Sequence, residues 1–253
     1  MSELDRAWGF ECASHDLFAR RRERFELGTA ICDDTLRRVY DANFVRFERG
    51  FDELTGDRVE ALADELQASL PHRKVVIPDE QAGARVADEL RGRGWRYYTL
   101  VTMAHRGGHA PLDSGERAVD EVDPAALRSA RERSLDDGRR DAEARRQIVA
   151  FTELVAAAMP MRPFVALGDR DEIGSFCTLF QRDGIGEVDE VTTLEQYRRR
   201  GLATAVVSSA VRASLDDGDT LTFLVADESD WPKGWYERLG FEPIGRRYEL
   251  LRA

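Results

Sequence analysis

Lysine is almost absent from this 253-residue chain: it occurs only at Lys74 and Lys233, so 35 of the 37 basic residues are arginine. Acidic residues outnumber basic ones by 48 to 37, which gives a formal net charge of −11. An acidic chain lacks the general attraction for nucleic acid or anionic lipid that a basic surface provides. We therefore expect no nucleic-acid or membrane partner, and any bound anion must be held by a local site.

Cysteine and long apolar runs are scarce as well. Cys12, Cys32 and Cys177 form no CxxC pair, which argues against a disulfide framework and a structural zinc site. No stretch approaches the ~20 apolar residues of a membrane-spanning helix. With 42% hydrophobic and 34% charged residues, the chain has the composition of a globular protein. We expect a cytoplasmic protein that binds no metal.

A polar, glycine-rich stretch over residues 106–115 separates two patterned regions and predicts a linker. We place a domain boundary there, with one domain over residues 1–110 and a second over residues 111–253. In the second region, an Asp123-Pro124 helix start, apolar periodicity and turn residues predict the element order ααβββαβαβ. This order predicts an α/β (α+β) protein.

A weak internal repeat links the two regions. Each contains an apolar strand, an acidic turn, a helix and a Gly-aromatic pair, with Asp79 and Gly94 in the first copy and Asp227 and Gly240 in the second. We interpret the chain as a tandem repeat. The alternative is a coincidence, because this succession of elements is common in α/β proteins.

An arginine-rich loop, residues 198–200, leads directly from an extended run into an amphipathic helix. The first N–H groups of a helix have no carbonyl partner and the aligned peptide dipoles favour negative charge, so main chain alone can bind a phosphate. Gly201 lets the backbone approach closely, and Ala203 leaves room for a bulky anion. We predict a diphosphate site here; the alternative is a solvated basic turn paired with nearby acids.

The same residues resemble the coenzyme A signature of the GNAT acyltransferase superfamily. Residues 198–203 (R-x-x-G-x-A) match its [QR]-x-x-G-x-[GA] pattern, and residues 236–241 (Y-x-x-L-G-F) are similar to its late Tyr-x-x-Leu-Gly-Phe motif. The resemblance covers residues 122–252 and implies a mixed, mostly antiparallel sheet flanked by helices. It also implies an acetyl-CoA-dependent N-acetyltransferase whose acceptor is a primary amine of a small molecule or peptide.

The resemblance assigns roles to individual residues. Acetyl-CoA would lie between the family's fourth and fifth strands, with its pantetheine arm on the backbone N–H groups of Val191 and Thr193. The pyrophosphate would be held by Arg198, Arg199, Arg200, Gly201, Leu202, Ala203 and Thr204. Tyr236 would protonate the leaving thiolate, unless its ring only packs on Phe241. One departure is that residues 227–230 replace the Asn that many family members carry after the fifth strand.

Attack on a thioester also requires a neutral amine, although an alkyl ammonium group has a pKa near ~10.4. A carboxylate in the cleft could take the proton directly or through water. Our preferred general base is Glu190, directly before Val191, and Glu187 is the second choice. The alternative is that both are solvent-facing or salt-bridged carboxylates.

In the first region, the counterpart of the signature helix should begin near Asp57 and run to Leu70. Asp52, Glu53 and Asp57 stand there in place of arginines and would repel a diphosphate. We therefore predict a truncated, degenerate GNAT-like domain without a coenzyme A signature. Two alternatives to an enzyme remain open: a non-catalytic acyl-CoA-binding sensor, and an interaction module.

Overall fold

The structure is a computed structural model that describes residues 1–107, 118–136 and 140–253. The helices in these ranges are α1 (Glu3–Phe18), α2 (Gly56–Leu66), α3 (Glu80–Glu89), α4 (Arg128–Ser134), α5 (Ala142–Ala158), α6 (Leu202–Asp216) and α7 (Pro232–Arg238). The strands are β1 (Arg21–Phe25), β2 (Gly28–Cys32), β3 (Phe44–Phe47), β4 (Arg73–Ile77), β5 (Arg96–His105), β6 (Val119–Glu121), β7 (Met161–Leu167), β8 (Ile173–Arg182), β9 (Ile185–Thr193), β10 (Leu221–Asp227) and β11 (Phe241–Arg252). The predicted boundary at residue 110 lies outside the described residues.

All eleven of these strands form one sheet, in the order β1-β2-β3-β4-β11-β5-β10-β9-β8-β7-β6. The pairs β3–β4 and β9–β10 are parallel, and every other pair is antiparallel. The predicted fold class, a mixed and mostly antiparallel sheet with helices, is therefore confirmed. We call β1–β4 with α2 and α3 the N-lobe, and β6–β10 with α4–α7 the C-lobe.

The two lobes exchange strands at the centre of the sheet. β5, from the first half of the chain, lies between β10 and β11, and the final strand β11 lies between β5 and β4. In the central order β4-β11-β5-β10, β4 and β10 occupy equivalent places, and so do β11 and β5. The next strand beside β4 is its parallel neighbour β3, and the next strand beside β10 is its parallel neighbour β9. As a result Leu250, three residues from the C-terminus, lies in the apolar core of the N-lobe with Val75 and Trp95.

Side-chain caps start four of the five helices of ten or more residues in the described ranges. Ser2, Thr55, Asp79 and Asp141 each accept a hydrogen bond from a backbone N–H of the first turn, which satisfies a donor that the helix leaves unpaired. The exception is α6, which begins at Gly201 with no side-chain cap. Its first N–H groups are therefore available to a ligand.

The predicted order of elements in the second region is confirmed, with differences at the ends. Asp123 caps the start as predicted, accepting from the N–H of Ala125 at 2.8 Å, and a 3₁₀ turn over 124–127 precedes α4. In the first region, α2 ends at Leu66 instead of the predicted Leu70. The backbone of Gln67 leaves the helical conformation, with φ of −116° and ψ of 23°, and its side-chain oxygen accepts a hydrogen bond from the N–H of Lys74 at 3.0 Å. The sequence analysis also missed β6.

Replacing Leu250 by alanine tests the strand exchange. Leu250 is fully buried, and removing such a side chain costs about 2–5 kcal/mol of unfolding free energy. Because β11 pairs with strands on both sides, we expect a single urea transition that the fluorescence of Trp95 and that of Trp235 report with equal shifts. Each probe is isolated by replacing the other tryptophans with phenylalanine. Leu215→Ala, at a side chain 41% exposed on α6, should change stability by less than about 0.5 kcal/mol. A shift seen only by Trp95 would show that the lobes unfold separately.

Candidate active site

The parallel strands β9 and β10 pair only over their first residues. Ile185, Gly186 and Glu187 lie opposite residues 221–223, and beyond Glu187 the two strands separate. A cavity of about 260 Å³ opens between them; we call it the donor gap. β9 remains paired with β8, and β10 with β5. Backbone groups of both strands that face the gap, including those near Val191, therefore lack a strand partner on that side.

A β-bulge lies where the strands separate. Thr178 of β8 faces Asp189, but Phe176 faces Thr192, so β9 holds one extra residue over this interval. Glu190, inside the bulge, has a left-handed backbone with φ of 55°. Bulges bend and twist the strand that carries them. The bulge therefore accounts for the divergence of β9 from β10.

The loop before α6 is anchored by Tyr197. Its buried ring packs so closely on Gly168 that a Cβ there would meet it at 2.5 Å. The Tyr197 hydroxyl donates to the Glu172 carboxylate and, at 3.2 Å, to the carbonyl of Asp169. Next along the chain, Arg199 and Gly201 have positive φ values of 61° and 77°. This backbone places the uncapped N-terminus of α6 directly after the loop.

The three arginines of the loop differ in their contacts. Arg200 pairs with Asp169 at 3.0 Å and lies over the Tyr197 ring. Arg198 donates to the carbonyl of Thr193 at 3.4 Å. Arg199 has no ion-pair partner among the described residues. The alternative of a basic turn paired with acids thus applies to Arg200, and the remaining two guanidinium groups stay available to an anion.

Around this N-terminus the side chains leave room. Ala203 and Thr204 are half-buried and Leu202 is anchored in the core. Thr204 accepts a hydrogen bond at 3.4 Å from the indole of Trp235 on α7, which ties α7 to the start of α6. These residues fit a diphosphate, because uncapped N–H groups, a positive-φ glycine and a small side chain occur together. Their role in binding stays a prediction.

Tyr236 reaches the donor gap from α7. Its side chain lines the gap, and its ring also packs edge-on against Phe241 with centroids 6.0 Å apart. Burial, together with the negative charge of Asp189, raises the pKa of the phenol above its ordinary value. The hydroxyl is therefore protonated at neutral pH. The packing alternative and the acid role are compatible at this position.

Glu190 is held by an ion pair. Arg131 of α4 donates to both of its carboxylate oxygens at 2.6 Å, and the Thr178 hydroxyl donates at 3.2 Å. Arg131 itself is buried. Each carboxylate oxygen of Glu190 therefore already accepts a hydrogen bond from a charged group. The salt-bridged alternative describes the geometry of Glu190, whose role as the base stays a prediction.

Asp189, which was not singled out from the sequence, offers a carboxylate that has no ion pair with a described residue and that accepts a hydrogen bond from the N–H of Glu190. It lines the donor gap and two larger cavities. Its side chain is exposed in these cavities, although desolvation by the surrounding protein raises the pKa of its carboxyl to about 6. No residue pattern marks it, because the bulge that sets the facing of residues 189 and 190 is a tertiary feature.

The two cavities beyond Asp189 are built by both lobes. The larger, about 660 Å³, lies along α4 and α5 and is closed by Val39, Tyr40 and His72 of the first half. The smaller, about 370 Å³, lies along α1. They adjoin, because they share the lining residues Asp41, Phe151, Val155, Phe180 and Asp189. We call them the α4–α5 cavity and the α1 cavity.

In the N-lobe, the equivalent helix start is already occupied. The N–H of Gly56, the first residue of α2, donates to the Glu89 carboxylate at 2.5 Å. A Cβ at Gly56 would meet the Glu89 side chain at 2.9 Å. The N-terminus of α2 thus binds a carboxylate of its own chain, in addition to the Thr55 cap. This contact agrees with the prediction that the first copy holds no coenzyme A.

The described residues contain neither a metal-binding cluster nor a membrane-spanning helix. In the parts of the chain that the structure describes, no group of three or more His, Cys, Asp or Glu side chains could hold a metal ion. No helix among the same residues is long and apolar enough to cross a membrane.

Comparison with known proteins shows a family match over part of the chain and a fold shared with solved structures. Residues 167–250 match the family model described as FR47-like protein, and no curated protein gave a significant match. A solved GCN5-related N-acetyltransferase from Kribbella flavida is 20% identical with a TM-score of 0.61, covering 96% of this chain and 94% of that one. The predicted resemblance to the GNAT superfamily is therefore confirmed in the FR47-like segment and in the fold.

Two further structures extend over both lobes. A functionally unknown conserved protein from Staphylococcus epidermidis ATCC 12228 has a TM-score of 0.69 at 14% identity, covering 91% of this chain and 92% of that one. A tandem GNAT protein from the clavulanic acid biosynthesis pathway, solved without AcCoA, has a TM-score of 0.55 at 14% identity, covering 89% and 78%. At these identities the likeness concerns the fold.

Asp189→Asn should stabilise the protein at high pH only. Desolvation raises the pKa of Asp189 from 3.8 to about 6. The contribution of this group to the free energy of unfolding is therefore fully present below pH 3.8 and is lost as the pH rises through 6. We expect the variant to melt higher than the parent at pH 8, with a difference that shrinks as the pH falls through 6. Asp183→Asn, at a side chain 85% exposed, is the control. An equal difference at every pH would contradict the raised pKa of Asp189.

Proposed function

We propose that this chain is an acetyl-CoA-dependent N-acetyltransferase that transfers an acetyl group to a primary amine of a small molecule or peptide, by direct attack in a ternary complex. One observation carries the proposal. The donor gap brings together an acid, Tyr236, and a carboxylate that has no ion pair with a described residue, Asp189. Strand β9, which forms one wall of the gap, leads through the loop to the uncapped start of α6.

The donor fits this geometry at two points. Unpaired backbone groups of β9, around Val191 and Thr193, can pair with the pantetheine arm as a neighbouring strand would. The N–H groups of residues 199–204 and the guanidinium groups of Arg198 and Arg199 can hold the pyrophosphate. Bound in this way, acetyl-CoA supplies a thioester carbonyl within the gap.

The residues that line the gap can manage the proton transfers of the reaction. Asp189 accepts a proton from the incoming ammonium group, directly or through water, and leaves a neutral amine. The amine nitrogen forms a bond to the acetyl carbon, and the carbon–sulfur bond then breaks. Tyr236 donates its phenolic proton to the departing thiolate. The nitrogen still carries one proton more than the amide product, and it releases that proton, directly or through water, to the Tyr236 phenolate, which restores the phenol. A carboxyl with a pKa of about 6 suits this task, because it is mostly ionised at neutral pH yet basic enough to hold a proton.

Glu190 takes a different role in this proposal. Its bidentate pair with Arg131 joins the bulge of β9 to α4. Two parallel hydrogen bonds from a buried guanidinium keep the carboxylate in one orientation. We therefore propose Glu190 as a positioning residue that holds the bulge, with Asp189 beside it as the base.

The remaining organisation follows the same proposal. We infer a cytoplasmic protein made of two GNAT-like repeats, divided near residue 110, in which only the C-lobe keeps a donor site. The Glu89 carboxylate at the start of α2 supports this division, because it occupies the position where a second diphosphate would bind.

Gly201→Glu should abolish acetyl-CoA binding. A carboxylate at the start of α6 repels the pyrophosphate, and we expect at least a roughly 100-fold loss of affinity, about 2.8 kcal/mol, by calorimetry. Gly218→Glu is the matched control, because Gly218 flanks the other end of α6 with a similar φ of 84° and open space around it. It carries the same backbone strain and should bind acetyl-CoA normally. Equal affinities for the two variants would place the diphosphate elsewhere.

Tyr236→Phe and Asp189→Asn test the chemistry. Each should lower kcat for thiol release with an amine panel by roughly 10²- to 10⁴-fold, the usual effect of losing a general acid or base. The acetyl-CoA dissociation constant should stay within about threefold for Tyr236→Phe. The kcat/KM profile should lose its limb near pH 6 only in Asp189→Asn. Binding of acetyl-CoA without thiol release from any amine would instead support a non-catalytic sensor.

A further inference from the structure

Carboxyl groups outnumber cationic groups among the side chains that line the α1 cavity. Its two cations are already neutralised: Lys74 contacts Asp41 at 2.5 Å and Glu249 at 2.8 Å, and Arg247 contacts Glu11 at 2.5 Å. The remaining basic group, His15, carries no charge, because burial lowers the pKa of its imidazole well below the ordinary value.

Three carboxylates that line this cavity, Glu187, Asp189 and Asp227, have no ion pair with any described residue. Asp227 accepts hydrogen bonds from Ser229, and Asp189 accepts one from the backbone N–H of Glu190. The Glu187 side chain has neither kind of contact with a described residue. Protein encloses Glu187, and burial together with the nearby charges of Glu11 and Asp189 raises the pKa of its carboxyl well above the ordinary value. A buried carboxyl without a counter-ion is costly, and a cation arriving in the cavity would remove that cost.

The positions of the two carboxylates set a spacing. Glu187 and Asp189 are two residues apart on β9, just before the bulge, so their side chains share one face of the sheet. Two residues of strand rise amount to roughly 7 Å. With C–C bonds of about 1.5 Å, an extended chain of about four or five methylene groups spans that distance.

Apolar side chains also line the α1 cavity. They are Phe18 of α1, Phe151 and Val155 of α5, and Phe180 of β8. Such side chains suit methylene groups. The cavity therefore combines carboxyl groups that have no ion pair with a described residue with apolar surface for a hydrocarbon chain.

We propose that the acceptor is an aliphatic diamine, with one ammonium group bound by Glu187 and the other delivered to Asp189 for acetylation. This inference rests on the proposed function and narrows its acceptor from primary amines in general to dications. Glu187 then acts as a specificity-determining residue, and Asp189 remains the base.

The experiment compares pentane-1,5-diamine with pentan-1-amine, which has the same chain and one charge fewer. Binding of each amine to the full chain is measured by calorimetry, and turnover by thiol release from acetyl-CoA. Both are repeated with Glu187→Gln and with Asp183→Asn, a control that neutralises an exposed carboxylate on the β8–β9 turn.

We expect the parent and the Asp183→Asn control to prefer the diamine by roughly 10- to 100-fold in both affinity and kcat/KM, the usual value of a charge-assisted hydrogen bond. Glu187→Gln should reduce that preference to about threefold or less. A parent protein without a preference overturns the inference. A preference that survives in Glu187→Gln also overturns the inference, because the second ammonium group then binds elsewhere. If this variant lowers kcat equally for both amines, Glu187 acts in proton transfer instead.

The two proposals fail in different ways. If no amine releases thiol, the acetyltransferase proposal fails, while the calorimetric preference still decides whether the cavity binds a dication. If pentan-1-amine is acetylated as efficiently as the diamine, the enzyme stands and the diamine specificity falls.

Discussion

The separation of β9 from β10 beyond Glu187 is the constraint on which the rest of the site depends. A gap inside a sheet leaves backbone groups without partners, which is costly unless something else satisfies them. The fold limits this cost, because β8 and β5 keep the outer edges of the two strands paired. The bulge at Glu190, fixed by Arg131, starts the divergence. The unpaired edges thus become a place for a ligand that is itself extended.

Strand exchange explains why a lobe without a free anion site is part of the molecule. Because β5 and β11 cross between the lobes, residues from both halves meet on one face of the sheet. Asp41 and Lys74 of the first half reach the α1 cavity, as does Arg247 of the last strand. The acceptor side of the proposed active site therefore depends on both halves of the chain, whereas the donor side uses the C-lobe alone.

Local patterns in the sequence identified much of this structure, and tertiary contacts supplied the remainder. The α6 start at Gly201 and the placement of Tyr236 were predictable, because a helix terminus and a motif are short-range features. Asp189 was missed because the bulge changes the facing of neighbouring side chains, and a bulge depends on the partner strand. Glu190 was singled out by its place directly before Val191, but its pairing with Arg131, 59 residues away, has no local signal. The strand exchange likewise joins residues distant in sequence.

The position of β11 has a consequence for synthesis of the chain. During translation, the inner edge of β4 has no neighbour until residues 241–252, the last strand, leave the ribosome. The first half therefore emerges with an unsatisfied sheet edge, and exposed edges of this kind favour pairing with other chains. A ribosome that stalls or terminates before residues 241–252 would release a chain without the strand that pairs with both β4 and β5, so closure of the sheet waits for these residues.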